Sequence, residues 1–172
     1  MFSDENKCAA ALKRIAQGDM SGLAVIYELL GRQIYNVALA VMNDSAEAED
    51  VMQETFLKIA HHSDSFREGG SSRAWIMAIA RNTAIDTLRK KSAVLPTEDK
   101  IMETAAASGD FTEVFAVNDL LKQLNETDRD IVILKVVDGF RFKEISEITG
   151  LSVANAQKRY RRALQTLKTL CK

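Results

Sequence analysis

Apolar residues recur at steps of three and four along most of the chain, and no stretch of any length alternates apolar with polar. That is the helical period, so the sequence reads as all-α. A first helix is expected from Asp4 to Gln17, stopped by Gly18. A second, from about Ser21 to Met42, has the most apolar surface, and Asn43-Asp44-Ser45 breaks it and caps the next. The third is expected from about Ala46 to His61, with Ala48, Met52, Phe56 and Ile59 inward and Glu47, Asp50, Gln53, Glu54, Leu57 and His61 largely opposite. The stretch His62 to Ser72, HSDSFREGGSS, reads as a loop whose glycines permit sharp turns. A fourth helix follows, capped by Ser71 or Ser72 and ending in Arg89-Lys90-Lys91, which suits the negative end of a helix dipole. Its wheel places Ala74, Met77, Ala84, Ile85 and Leu88 on one side and Trp75, Ile79, Asn82, Asp86, Arg89 and Lys90 on the other.

The pattern lapses between residues 93 and 110. This segment holds the only proline, Pro96, a run of small residues and mostly acidic charge, so it reads as an exposed, flexible linker. It divides the chain into two small helical domains, 1–92 and 111–172. In the second, helices are expected over about Thr112 to Leu124 and over Asp128 to Val137, the latter capped by Asn125 or Thr127 and stopped by Asp138-Gly139. Arg141 to Thr149, the turn Gly150-Leu151-Ser152 and a last helix from Val153 to about Leu170 have the form of a helix-turn-helix. Val153, Ala156, Tyr160, Ala163, Leu164 and Leu167 face inward on that last helix, and Asn155, Lys158, Arg161, Arg162 and Gln165 point away.

Charge changes the picture. The net value of −1 argues against a nucleic-acid partner, but its distribution argues for one. Residues 1–66 sum to −5, 67–93 to +4, 94–130 to −6 and 131–172 to +6. Basic blocks alternating with acidic ones suit a chain that meets both a polyanion and something basic. On the last helix, an exposed amide among cations suits major-groove reading. On the fourth, a row of one Trp, one amide and a basic end offers stacking, base-edge contact and phosphate neutralisation. On the third, Leu57 ringed by Asp50, Gln53 and Glu54 suits docking on a basic protein surface.

Other chemistry is thin. Cys8 and Cys171 form no metal-ligand spacing and suit reduced thiols in a cytoplasmic protein. Glu28, Arg32, Gln33 and Asn36 interrupt the apolar run from Leu23 to Met42, so no membrane insertion is expected. Glu49, Glu54, His61, His62 and Asp64 are the only cluster that suggests a metal enzyme, and they lack paired Glu-x-x-His sites; no metal, cofactor or catalytic residue is expected.

Three stretches resemble a known family, the bacterial RNA polymerase sigma factors of the extracytoplasmic-function (ECF) class. Ala48-Glu49-Asp50-Val51-Met52-Gln53-Glu54-Thr55-Phe56 resembles region 2.2. Phe66-Arg67, Arg73-Ala74-Trp75-Ile76 and the run Ile79 to Arg89 resemble regions 2.3 and 2.4. Glu144 to Ser152, with Arg159, Arg162 and Ala163, resembles region 4.2. Where the family often has Gly-Thr-Val-Lys, this chain has Ala154-Asn155-Ala156-Gln157, which keeps the helix-turn-helix but removes one cation.

The resemblance implies a non-enzymatic factor that binds core RNA polymerase and promoter DNA, and it brings in an anti-sigma factor as a further partner found for many members. It implies polymerase docking through Asp50, Gln53, Glu54 and Leu57. It implies reading of the opened −10 strand by Phe66, Arg67, Arg73, Trp75, Asn82, Asp86, Arg89 and Lys90. It implies reading of the −35 duplex by Ser152, Asn155, Lys158, Arg159, Arg161 and Arg162. The acidic linker resembles those that follow the RNA exit path. The alternative is a stand-alone helix-turn-helix regulator with an N-terminal sensing or dimerisation domain, which leaves the Asn82 and Leu57 faces without a role.

Overall fold

The computed structural model describes residues 3–94 and 120–170. Four helices make the first domain: α1 (Asp4–Ala16), α2 (Ser21–Met42), α3 (Ser45–His62) and α4 (Ser72–Val94). The second has α5 (Glu126–Val132), running into a π-helical turn over Ile133–Val137, then α6 (Phe142–Thr149) and α7 (Val153–Leu170). Most of the expected linker, and of the helix expected from Thr112 to Leu124, lies outside the described residues.

Local chemistry accounts for the boundaries. Asn43 closes α2 in the left-handed conformation at φ 55°, and the Asp44 carboxylate accepts from the Glu47 amide at 2.9 Å to open α3. The Ser71 hydroxyl accepts from the Ala74 amide at 3.1 Å and caps α4. Asn125 caps α5, accepting from the Asp128 amide at 3.0 Å. Gly150, at φ 72°, makes the turn between α6 and α7, and Ser152 caps α7 by accepting from the Asn155 amide at 3.2 Å.

The inward faces differ in detail from the sequence pattern. On α3, Val51 and Thr55 are buried together with Ala48 and Ile59, whereas Met52 and Phe56 are half-buried. Thr55 is accommodated because its hydroxyl donates to the Val51 carbonyl at 2.7 Å. On α4, Ile76, Ala80 and Thr83 join Ala74, Met77 and Ala84, while Ile85 and Leu88 are half-buried. The face read as outward is itself divided: Trp75 and Ile79 pack against the core, and Asn82, Asp86, Arg89 and Lys90 are exposed. Val153, expected inside, is exposed at the first turn of α7.

The two domains pack against each other. Ile131, Leu134, Phe140, Ile145, Ile148 and Ala156 of the second belong to the same hydrophobic cluster as Leu12, Ile34, Met77 and Ala80 of the first, and α6 lies against α4. Polar contacts cross the seam as well. Arg81 donates to Asp130 at 2.7 Å, Arg129 donates to the Ala40 carbonyl at 2.9 Å, and Asn36 donates to Asp138 at 3.0 Å.

Candidate polymerase and promoter interfaces

On α3, Asp50, Gln53, Glu54 and Leu57 are all exposed, Leu57 at 57%. Tyr27 of α2 joins them, 59% exposed, with its ring 5.8 Å from Phe56. Sequence reading missed Tyr27 because α2 is apolar on most of its circumference, so its helical period marks no outer face. The result is an apolar ridge spanning two helices and bordered by carboxylates. Such a ridge offers burial at its centre and charge selection at its rim.

The loop before α4 is pinned from α1. The Glu5 carboxylate accepts from the Ser72 amide, from the Arg73 amide at 3.4 Å and from the Ser71 hydroxyl at 3.1 Å. It adds negative charge at a helix N-terminus, where that charge is favourable. The loop and α1 enclose an open pocket of about 520 Å³ lined by Asn6, Ala9, Lys13, Asp64, Phe66 and Gly69, among others. Phe66, the one candidate −10 residue that lines this pocket, meets Trp75 edge-on at 5.8 Å, and Arg67, next to it in the chain, is exposed. Arg73 is turned elsewhere, its guanidinium 4.7 Å from the Phe140 ring centre in the domain seam. Asn82 is seven residues beyond Trp75, roughly 10 Å along the axis at 1.5 Å per residue, and Arg89 about 21 Å. The candidate −10 residues therefore divide into a Phe66–Trp75 pair beside the loop pocket and an exposed track, Asn82, Asp86, Arg89 and Lys90, farther along α4.

On α7, Ser152, Asn155, Lys158 and Arg161 are exposed. Arg162 is exposed too, its side chain at 59%, and Arg159 is half-buried, but both are engaged within the protein. Both donate to Asp128, Arg159 at 2.8 Å and Arg162 at 2.7 Å, and the Asn125 amide donates to the same carboxylate at 2.8 Å. The Asp128 side chain is 4% exposed. Burial raises its pKa, but the two guanidinium groups and the Asn125 amide outweigh burial and hold it below the ordinary carboxylate range. Asp128 thus fixes α7 against α5, a role that the sequence could not show because the partners are thirty and more residues apart.

Cys8 is buried, and burial together with the neighbouring Glu5 pushes its thiol up to about 11, so it stays a protonated, unreactive packing group. Among the described residues, no three His, Cys, Asp or Glu side chains are grouped so as to hold a metal ion. No helix among them is long and apolar enough to cross a membrane.

Residues 26–94 match Sigma-70 region 2, and residues 115–167 match Sigma-70, region 4. The chain is 27% identical to the ECF RNA polymerase sigma factor SigK of Mycobacterium tuberculosis, across 92% of this chain and 90% of that protein. It is also 27% identical to SigW of Bacillus subtilis, across 91% and 92%. Among solved structures, CnrH in complex with the cytosolic domain of CnrY superposes with a TM-score of 0.76 at 22% identity, covering 96% of this chain and 97% of that one. The sigma factor RpoE of Bartonella quintana, in complex with the anti-sigma factor NepR, superposes with a TM-score of 0.67 at 24% identity, covering 84% and 93%. With both sigma regions matched in order and each borne by its own helical domain, the chain belongs to the ECF class of the sigma-70 family, the non-enzymatic subunits that bind RNA polymerase and direct promoter-specific transcription initiation.

Proposed function

We propose that this sigma factor divides its work among three surfaces and acts in the cytoplasm. The ridge of Tyr27 and Leu57, bordered by Asp50, Gln53 and Glu54, docks on a basic surface of core polymerase. The loop pocket and the exposed track of α4 hold the opened −10 strand, with an extruded base in the pocket and Asn82 contacting another base farther along. The exposed Asn155, Lys158 and Arg161 of α7 read the −35 duplex. Since CnrH and RpoE were solved with CnrY and NepR, an anti-sigma factor is also a partner of this chain.

The observation that carries the −10 assignment is the row Asn82, Asp86, Arg89 and Lys90, exposed on α4 directly beyond the Phe66–Trp75 pair. An amide donates and accepts at once, which suits a base edge. Asn82→Ala should leave polymerase docking intact, lower transcription from a duplex promoter, and remain below wild type on a template already melted at −10. Full rescue by pre-melting would mean that Asn82 helps to open the duplex and does not read the strand.

Binding of full-length protein to promoter duplex across a salt series separates the cations of α7. Lys158→Ala or Arg161→Ala should each reduce the salt slope by about one ion if the side chain meets phosphate. A base contact instead costs about 1–3 kcal/mol at one position. Arg162→Ala should act mainly through stability, because its guanidinium is held by Asp128. Wild-type affinity together with a wild-type salt slope in both Lys158→Ala and Arg161→Ala would remove α7 from the duplex.

A further inference from the structure

The seam between the domains contains a hydrogen-bond pair that is complete in only one protonation state. Asn36 on α2 and Asp138, after the π-helical turn, are both buried, and Asn36 Nδ2 donates to Asp138 Oδ1 at 3.0 Å. The other atom of each group, Asn36 Oδ1 and Asp138 Oδ2, is buried without a partner. If Asp138 is ionised, both orphans are acceptors and neither can satisfy the other. If it is neutral, its O–H donates to Asn36 Oδ1, and acid and amide close a ring of two hydrogen bonds. A buried orphan is costly, so the paired state is the one that burial selects.

We propose that Asn36 and Asp138 form a proton-gated latch: closing the two domains takes up one proton from solvent onto Asp138, and loss of that proton opens the seam.

The surroundings agree. From α2 the carboxyl is faced by Asn36 and Arg32, and from α4 by Arg73. On its own segment, Lys135 is turned to the Phe140 carbonyl at 3.2 Å and to the Phe142 ring. Arg32, Arg73 and the Asn36 hydrogen bond favour the ionised form, yet burial outweighs them and pushes Asp138 up to about 7. In the open state the group meets water and returns to the ordinary carboxylate range. Below that range both states are protonated and closure does not depend on pH. Between that range and about pH 7 only the closed state holds the proton, so closure weakens about tenfold per pH unit as pH rises; above about 7 the dependence levels off.

Closure bears directly on promoter use. A compact chain of this length has a radius of gyration of about 16 Å. The −35 and −10 elements lie roughly 80 Å apart at 3.4 Å per base pair. The closed chain therefore cannot engage both, and a proton on Asp138 holds the factor in a form that cannot span a promoter.

The test uses the free chain, without polymerase or DNA, so its outcome is independent of the assigned promoter contacts. Dyes at Glu49→Cys and Gln165→Cys, with Cys171→Ser, report the closed-to-open ratio by single-molecule energy transfer from about pH 5.5 to about pH 8.5. The ratio should fall about tenfold per unit up to about pH 7 and then flatten. Asp138→Asn offers the same ring of two hydrogen bonds with no proton to lose, so it should stay closed with no pH slope. Should that variant not fold, the carboxyl carbon resonance of Asp138 in the wild-type chain decides: a midpoint near 7 upholds the latch. A flat ratio in the wild type, an undiminished slope in Asp138→Asn, or a midpoint in the ordinary carboxylate range overturns it.

Discussion

Replacing Arg81 by alanine should cost the closed chain about 3–5 kcal/mol, the usual penalty for stranding one partner of a buried ion pair. Arg81 Nε is 2.7 Å from Asp130 Oδ2, with the two side chains 13% and 4% exposed. Burial already raises the Asp130 pKa above its ordinary value despite the attraction of Arg81. Without Arg81 the carboxylate has three outcomes: remain charged in an apolar seam, protonate, or leave the seam. The sign with pH follows. The penalty is largest at high pH and shrinks as pH falls and Asp130 takes up a proton. Because the pair joins α4 to α5, the expected failure is separation of the domains before either unfolds. Thermal unfolding followed together with small-angle scattering would show it. A variant as compact and as stable as wild type at neutral pH would refute the account of the seam.

Placing a carboxylate at the centre of the proposed docking ridge should be nearly as costly in a binding assay. Leu57→Asp should weaken association with core polymerase by about 2 kcal/mol or more, roughly thirtyfold, as expected of a central apolar anchor. It should leave the helical content unchanged, since Leu57 is exposed in the free chain. Tyr27→Ala should weaken binding in the same direction. Competition against labelled sigma factor for core polymerase measures both. Wild-type affinity in Leu57→Asp would move the docking surface elsewhere on the molecule.

How much of this was legible in the chain can be judged element by element. The end of α2 and the start of α3 were readable because Asn43 and Asp44 stop one helix and cap the next by local hydrogen bonds. The helix-turn-helix was readable because Gly150 takes a backbone conformation that glycine favours, between two periodic runs. Leu57 stood out because one apolar residue broke an acidic face. Trp75 was harder. Its wheel position groups it with Asn82, but the ring turns to Phe66 at 5.8 Å, and a wheel contains no neighbouring loop. Arg159 and Arg162 look like free cations in sequence, and only the fold brings Asp128 to them.

Local chemistry by itself thus determined where helices start and stop, which domain is which, and which family the chain belongs to, since propensity, capping and motif spacing act within about one turn of the residues concerned. Contacts between residues far apart in sequence were decided only by tertiary structure. Gly22 is an example. In an exposed helix, alanine would be the better residue by about 1 kcal/mol. Here an added Cβ would lie 2.5 Å from the Ala11 carbonyl oxygen, so close packing of α1 on α2 reverses the preference. The seam is another. Asn36, Arg81, Asp130 and Asp138 read as scattered polar residues on four separate segments. Folding buries them, and burial makes the pairing of each charge and each hydrogen-bonding atom a matter of several kcal/mol.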